Sequence, residues 1–174
     1  MKNLYLKFAI VFIVIIIFFT PVFNMFTIMD TESNKIVYIN KTSNIDEFYI
    51  TFIHSVNRMP VNEYYRIVNN QFVVYKTTFY SYGAGMPDFE DLGQRPVLKD
   101  GMVNIDNLNI NMKSFSIFIG TIANHSLNFN NKKYYLSQFV KPGKSAFFKI
   151  RKVSLYRLLR RYFYEWRNKP WRRG

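Results

Sequence analysis

Residues 48–80 read FYITFIHSVNRMPVNEYYRIVNNQFVVYKTTFY, and this stretch decides the fold. Its β-branched and aromatic residues alternate with polar ones over three segments, 48–55, 61–68 and 71–80, with the period of half-buried strands. An Asn-Asn pair separates the second segment from the third, and Asn tolerates the positive φ that a tight hairpin requires. The stretch therefore predicts three antiparallel strands.

The same alternation continues on both sides of this stretch. Further candidate strands are 36–39, 102–105, 108–110, 115–119, 125–129, 134–136 and 146–150. Asn130-Asn131 and residues 141–144 have turn composition, and residues 83–101 form a long loop rich in Gly and Pro. Many short strands need a second layer or closure to bury one face. We therefore predict an all-β fold, either an antiparallel sandwich or a small barrel.

An apolar run at residues 8–19 lies just behind Lys2 and Lys7. Counted on to residue 26, it could just cross a bilayer core of about 30 Å as a helix. It is either a signal or a transmembrane helix. Because no small-residue cleavage pattern follows it, we expect residues 1–29 to stay attached as a single N-terminal anchor. The lysines before the run place the body outside the cytoplasm.

The length and composition limit the number of domains, the chemistry and the partners that the rest of the chain can have. Residues 30–150 suffice for one core and form the expected extracytoplasmic β domain. The chain has no Cys, so it has neither disulfides nor a thiolate nucleophile. Residues 30–150 hold thirteen Lys or Arg against ten Asp or Glu, so the net charge of +13 resides mostly in the C-terminal tail. An exported, nearly balanced body disfavours nucleic acid as a partner.

His54 and Glu63 are the candidate polar pair. If residues 57–60 form the loop between the first two strands, His54 falls opposite Glu63 and both side chains share one face. The pair is then either a structural lock at one end of the core or one wall of a ligand site. In the second case the glycine-rich loop forms the other wall.

Two motifs that include this pair stand complete in the chain. They are His54-Ser55-Val56-x-x-x-Pro60-Val61-x-Glu63 and Tyr82-Gly83-Ala84-Gly85-Met86-Pro87. In order and spacing they resemble a small bacterial family classed only as a domain of unknown function. The resemblance covers residues 35–150. It implies an exported, membrane-associated protein encoded beside TRAP-type transporters of the TAXI class, which use an extracytoplasmic binding protein and a membrane permease.

The resemblance carries over no catalytic residue. The candidate positions for a ligand or a structural motif are His54, Ser55, Pro60, Glu63, Tyr82, Gly83, Gly85 and Pro87. Neither a nucleophile elbow nor a His-Glu-x-x-His motif occurs. Ser55 would point away from His54 on a strand, and the acidic cluster at 88–91 fits no standard calcium site. We expect no metal and no cofactor.

Residues 151–174 form a basic tail, with nine Lys or Arg against Glu165. With Ser154 as N-cap, apolar residues recur at helical spacing and arginines occupy the other faces. The residues expected to contact a membrane or a partner are Leu155, Arg157, Leu158, Leu159, Arg160, Arg161, Tyr162, Phe163 and Trp166. We predict an amphipathic helix over 154–168. A helix packed on the domain's own sheet is the alternative.

These patterns and the resemblance favour a protein of the cell membrane with an extracytoplasmic body. We expect a non-catalytic accessory or binding module of a TRAP-type solute transporter. Its partners would be the membrane and the transporter's permease or solute-binding protein. The alternatives are an envelope enzyme that acts through His54 and Glu63, and a structural envelope protein.

Overall fold

The computed structural model describes residues 2–42, 46–81 and 95–160, with side chains from Tyr5 onward. A helix, α1, covers Lys2–Phe19, and residues 155–160 are helical. The strands are β1 Pro21–Asp30, β2 Lys35–Lys41, β3 Glu47–Ile53, β4 Pro60–Val68, β5 Gln71–Phe79, β6 Val97–Lys99, β7 Met102–Met112, β8 Ser114–Phe118, β9 Ser126–Phe129, β10 Lys132–Tyr135 and β11 Ser145–Ser154. The prediction of a mostly β, antiparallel fold is confirmed.

The strands form two sheets. The smaller sheet has the order β2-β1-β11-β8, and the larger has the order β10-β9-β3-β4-β5-β7-β6. Alternation sets the two faces of each strand: Phe48 and Ile50 on β3 are buried, whereas Tyr49 between them is exposed. The residues of 48–80 therefore place three neighbouring strands in the middle of the larger sheet.

The hairpins follow from the turn residues. Asn69 and Asn70 have φ values of 50° and 60°, and Asn130 and Asn131 have φ values of 51° and 57°. Positive φ at both central positions gives a two-residue turn the twist that matches antiparallel strands. Both Asn-Asn turns, predicted from the sequence, are confirmed.

The chain divides into two compact units, one made of residues 26–150 and the other of residues 1–25 with 151–174. In the first unit the core is aromatic and draws on both sheets. The Phe26 ring on β1 lies 5.1 Å from that of Phe48 and 5.0 Å from that of Phe129, and the Phe115 and Phe148 rings stack at 4.6 Å. Such ring pairs add to the free energy gained by burying apolar area.

The N-terminal boundary of the β fold lies earlier than the sequence indicated. Residues 20–29 were expected in the anchor, but α1 ends at Phe19 and β1 begins at Pro21. Phe26, Thr27 and Ile28 are fully buried in the first unit. A short apolar run has the same composition in a buried strand as in a helix, so periodicity could not separate the two.

β6, β7 and β11 also differ from the prediction. β6 was not predicted, and 102–105 and 108–110 are one strand, β7, that continues through Asn107 at a φ of 60°. β11 continues past residue 150 to Ser154, where Val153 and Ser154 are buried. The tail therefore begins with strand residues.

In the second unit, α1 presents apolar side chains in every direction. All described side chains from Tyr5 to Ile17 are exposed, and the apolar ones range from 49 % to 71 % exposure. Among the residues with described structure, no helix has the length and apolar character needed to cross a membrane.

Candidate functional site

The predicted pair of His54 and Glu63 does not form. In the register of β3 and β4, Ile53 pairs with Pro60 and Ile50 pairs with Glu63. His54 lies beyond the end of β3, where its N–H donates to the carbonyl of Met59 over 2.9 Å. His54 and Glu63 are thus displaced along the strands, and the predicted cross-strand pairing is wrong.

A six-residue loop between β3 and β4 causes this displacement. His54 and Ser55 belong to the loop, not to the strand, and the Arg58 N–H donates to the His54 carbonyl over 3.0 Å. The Asn57 amide donates to the carbonyl and hydroxyl oxygens of Ser81 over 3.0 and 3.1 Å. Pro60 opens β4, a position where its missing N–H is tolerated.

Each member of the predicted pair has a different partner. The Val56 N–H donates to Nδ1 of His54 over 3.3 Å, while Ser55 is exposed. The Tyr65 hydroxyl donates to Oε2 of Glu63 over 2.6 Å. Burial, followed by the charge of Glu63 and this hydrogen bond, raises the pKa of Tyr65 well above its usual value. The partner of the Glu63 carboxylate is therefore a core tyrosine and not His54.

His125 is the second histidine and lies just before β9. Its imidazole stacks on the Phe52 ring at a centroid distance of 5.5 Å. Its buried Nδ1 has no hydrogen-bond partner among the described residues. Burial lowers the pKa of His125 below its ordinary 6.5, so the fold favours the neutral ring.

The outer face of the larger sheet carries a row of cross-strand partners that sequence analysis missed. Tyr49 lies opposite Tyr64 and Asn128, Tyr64 lies opposite Lys76, and Asn128 lies opposite Lys133. Residues directly opposite in an antiparallel pair project from the same face. The five side chains therefore form one line across β5, β4, β3, β9 and β10, and the Tyr49 and Tyr64 rings are 5.3 Å apart.

A surface groove of about 650 Å³ lies along this row. It is lined by Glu47, Phe48, Tyr49, Tyr64, Tyr75, Asn128, Asn130, Asn131, Lys132 and Lys133. Ring faces, side-chain amides and ammonium groups are typical of groups that orient a small ligand. We call this feature the tyrosine groove.

The acidic residue of the tyrosine groove is fully engaged. Oε1 of Glu47 accepts from Nε of Arg66 over 2.9 Å and lies 2.7 Å from its terminal nitrogen. The Tyr75 hydroxyl donates to Oε2 over 3.0 Å, and burial together with this bond raises the pKa of Tyr75 to about 12. The Arg66 guanidinium lies 4.8 Å from the centroid of the Tyr75 ring. The negative charge of Glu47 is thus balanced by Arg66.

The two lysines of the groove are not neutralised in this way. Lys132 and Lys133 form no salt bridge with another described residue, although Nζ of Lys133 lies 5.1 Å from the centroid of the Tyr135 ring. The groove therefore has excess positive charge at its β9–β10 end. Its chemistry suits binding of a ligand with a ring face and a negative charge.

The remaining predicted positions divide between the described and the undescribed chain. Tyr82, Gly83, Gly85 and Pro87 lie outside the described residues, as do Arg161, Tyr162, Phe163 and Trp166. In the tail, the Arg157 N–H donates to Oγ of Ser154 over 3.4 Å, so the predicted N-cap is confirmed. Leu155, Leu159, Arg157 and Arg160 are exposed, and Leu158 is half-buried.

Comparison with known proteins identifies a family. Residues 48–136 match the family model described as Domain of unknown function (DUF1850). This match covers just over half of the chain and includes every groove residue except Glu47. No curated protein and no solved structure matches the chain.

Proposed function

The chain belongs to the family described as Domain of unknown function (DUF1850), and we propose that it is a non-catalytic accessory module of a solute transporter. In this proposal α1 holds the protein at the cell membrane, and residues 26–150, called the β unit below, lie on the extracytoplasmic side. The tyrosine groove is its binding surface.

The single observation that carries this proposal is the exposed apolar surface of α1. A helix that is hydrophobic all round is normally covered by a protein core or by lipid. From Tyr5 to Ile17, the described side chains of α1 are exposed instead. Within the described residues no helix has the length and apolar character needed to cross a membrane, so the length of α1 does not support the proposal. The proposal therefore rests on the exposure of α1 and not on its length.

The charge pattern supports the proposed orientation. Lys2 and Lys7 precede the apolar run, whereas Asp30 and Glu32 are the first charges after it. Basic residues flanking a membrane helix favour the cytoplasmic side. The role beside a transporter is supported by the resemblance to a family encoded next to TAXI-type TRAP transporters.

A binding role agrees better with the site geometry than an enzymatic one. The enzymatic alternative needs His54 and Glu63 as a pair, and each has another partner. The tyrosine groove offers tyrosine rings, Asn amides and two lysines that form no salt bridge within the described structure. These groups hold and orient a ligand.

Cysteine labelling tests the membrane orientation. Because the chain has no native Cys, only the introduced Cys can react. We expect a Lys141→Cys variant, changed at an exposed turn, to react with a membrane-impermeant maleimide in intact cells. The matched Asn3→Cys variant should react only after lysis. A Lys141→Cys variant that reacts only after lysis would place the β unit in the cytoplasm and refute the proposal.

Photo-crosslinking tests the transporter partner. We expect a photoreactive phenylalanine analogue at Tyr49, in native cells, to form adducts with a transporter permease or solute-binding protein. The same analogue at Lys141 is the control and should not form them. If Tyr49 forms no transporter adduct, or no more than Lys141 does, the accessory role is wrong even if α1 is embedded in the membrane.

A further inference from the structure

The helical residues 155–160 begin beside the C-terminal end of α1. The Tyr156 ring lies 5.1 Å from the Phe19 ring and 6.1 Å from the Phe18 ring. The Phe18 and Phe19 rings are themselves 5.3 Å apart. Residues 155–160 therefore begin beside the end of the apolar helix.

The helical segment that starts there leaves three of its apolar side chains partly exposed. Leu155, Tyr156 and Leu159 are 37 %, 39 % and 38 % exposed. Because Ser154 caps the segment, its helical conformation begins at a defined residue next to α1. Exposed apolar side chains beside an apolar helix are typical of a surface that lies in the boundary of a membrane.

The same segment carries two exposed cationic side chains. Arg157 and Arg160 are exposed, and neither forms a salt bridge within the described parts of the chain. The tail from residue 151 onward holds nine basic residues against one acidic residue. The guanidinium group matches the geometry of phosphate with two parallel hydrogen bonds.

We infer that residues 155–160 form a binding surface for anionic phospholipid headgroups at the point where α1 leaves the membrane. Tyr156 and the two phenylalanines lie at the level of the headgroups, where aromatic residues are enriched. Leu155 and Leu159 enter the acyl boundary, and Arg157 and Arg160 bind lipid phosphate. This inference rests on the proposed membrane attachment through α1.

Hydrogen exchange of the full chain in lipid nanodiscs tests the inference. We expect amides of 155–160 to exchange more slowly in nanodiscs that contain phosphatidylglycerol than in nanodiscs of phosphatidylcholine alone. At about 1 kcal/mol for each basic residue near an anionic surface, Arg157→Gln with Arg160→Gln should reduce this lipid-dependent protection on the order of 30-fold. Free phosphate added to phosphatidylcholine nanodiscs should not slow the exchange of 155–160 in the parent protein as phosphatidylglycerol does.

The matched control is Lys113→Gln with Lys141→Gln, which removes the same charge at two exposed positions of residues 26–150 and should leave the protection unchanged. Equal exchange of 155–160 in both lipids, or equal protection in the arginine variant and the parent, would overturn the inference. A failure of membrane attachment gives a different result, because amides of α1 would then exchange as fast with nanodiscs as without them.

Discussion

At the scale of single residues, His125 makes the stability of the fold depend on pH. Burial lowers its pKa, so the unfolded chain takes up the proton first as pH falls. Its contribution to stability is full above pH 6.5, the ordinary His value, and is lost as pH falls from there toward the lower pKa of the folded state. Below the folded-state pKa, both states carry the proton and the loss is complete.

We therefore expect His125→Phe to reduce the loss of unfolding free energy between pH 7.5 and pH 5, because Phe keeps the stacking on Phe52 without a titrating group. Urea denaturation at both pH values measures this. The control variant His54→Gln retains His125 and should show the full loss. The same pH dependence in His125→Phe and the parent would show that His125 does not control acid stability.

Tyr65 and Glu63 form the polar contact that replaces the predicted one. Tyr65 is 3 % exposed, so its hydroxyl depends on Glu63 for a hydrogen bond. Hydrogen bonds to charged groups contribute roughly 1.5–3 kcal/mol. We expect Tyr65→Phe and Glu63→Gln each to lower the free energy of unfolding by about 1–2 kcal/mol, and the double variant to lose less than the sum.

A double-mutant cycle by chemical denaturation measures this coupling. His54→Ala serves as the control, because His54 bonds within its own loop and should add independently to Glu63→Gln. Strict additivity for Tyr65 and Glu63, or coupling between His54 and Glu63, would contradict the assignment.

At the scale of secondary structure elements, β1 decides where the mature chain can begin. β1 lies between β2 and β11 in the smaller sheet and buries Phe26 and Ile28 in the first unit. Removing it would delete two fully buried side chains from the core, each of which contributes about 1.5–3 kcal/mol through burial. A processed protein that starts near Asp30 would thus lose a central strand.

We expect the mature protein to keep every residue from Pro21 onward. Intact-mass analysis of protein from native membranes checks this. A mature N-terminus at or before residue 21 agrees with the structure. A chain that begins near Asp30 and still unfolds cooperatively would show that β1 is dispensable.

At the scale of the whole molecule, the family match and the units divide the chain differently. The match at 48–136 covers nearly all of the larger sheet and leaves β1, β2 and β11 of the smaller one outside. The tyrosine groove lies within the matched part except for Glu47, while α1 and the tail lie outside it. The proposed binding and membrane roles therefore belong to different parts of the chain.

The sequence by itself determined the β class, the hairpins and the Ser154 cap, because alternation and turn chemistry act between near neighbours in the chain. Only the tertiary structure decided that residues 21–30 form a strand, since an apolar run is buried equally well in lipid or in a sheet. It also set the register that separates His54 from Glu63 and aligns Tyr49 with Tyr64. Register depends on where a loop begins. The partner of Glu63 is Ile50, four residues before His54, and a shift by an even number of residues keeps the same faces while changing every partner.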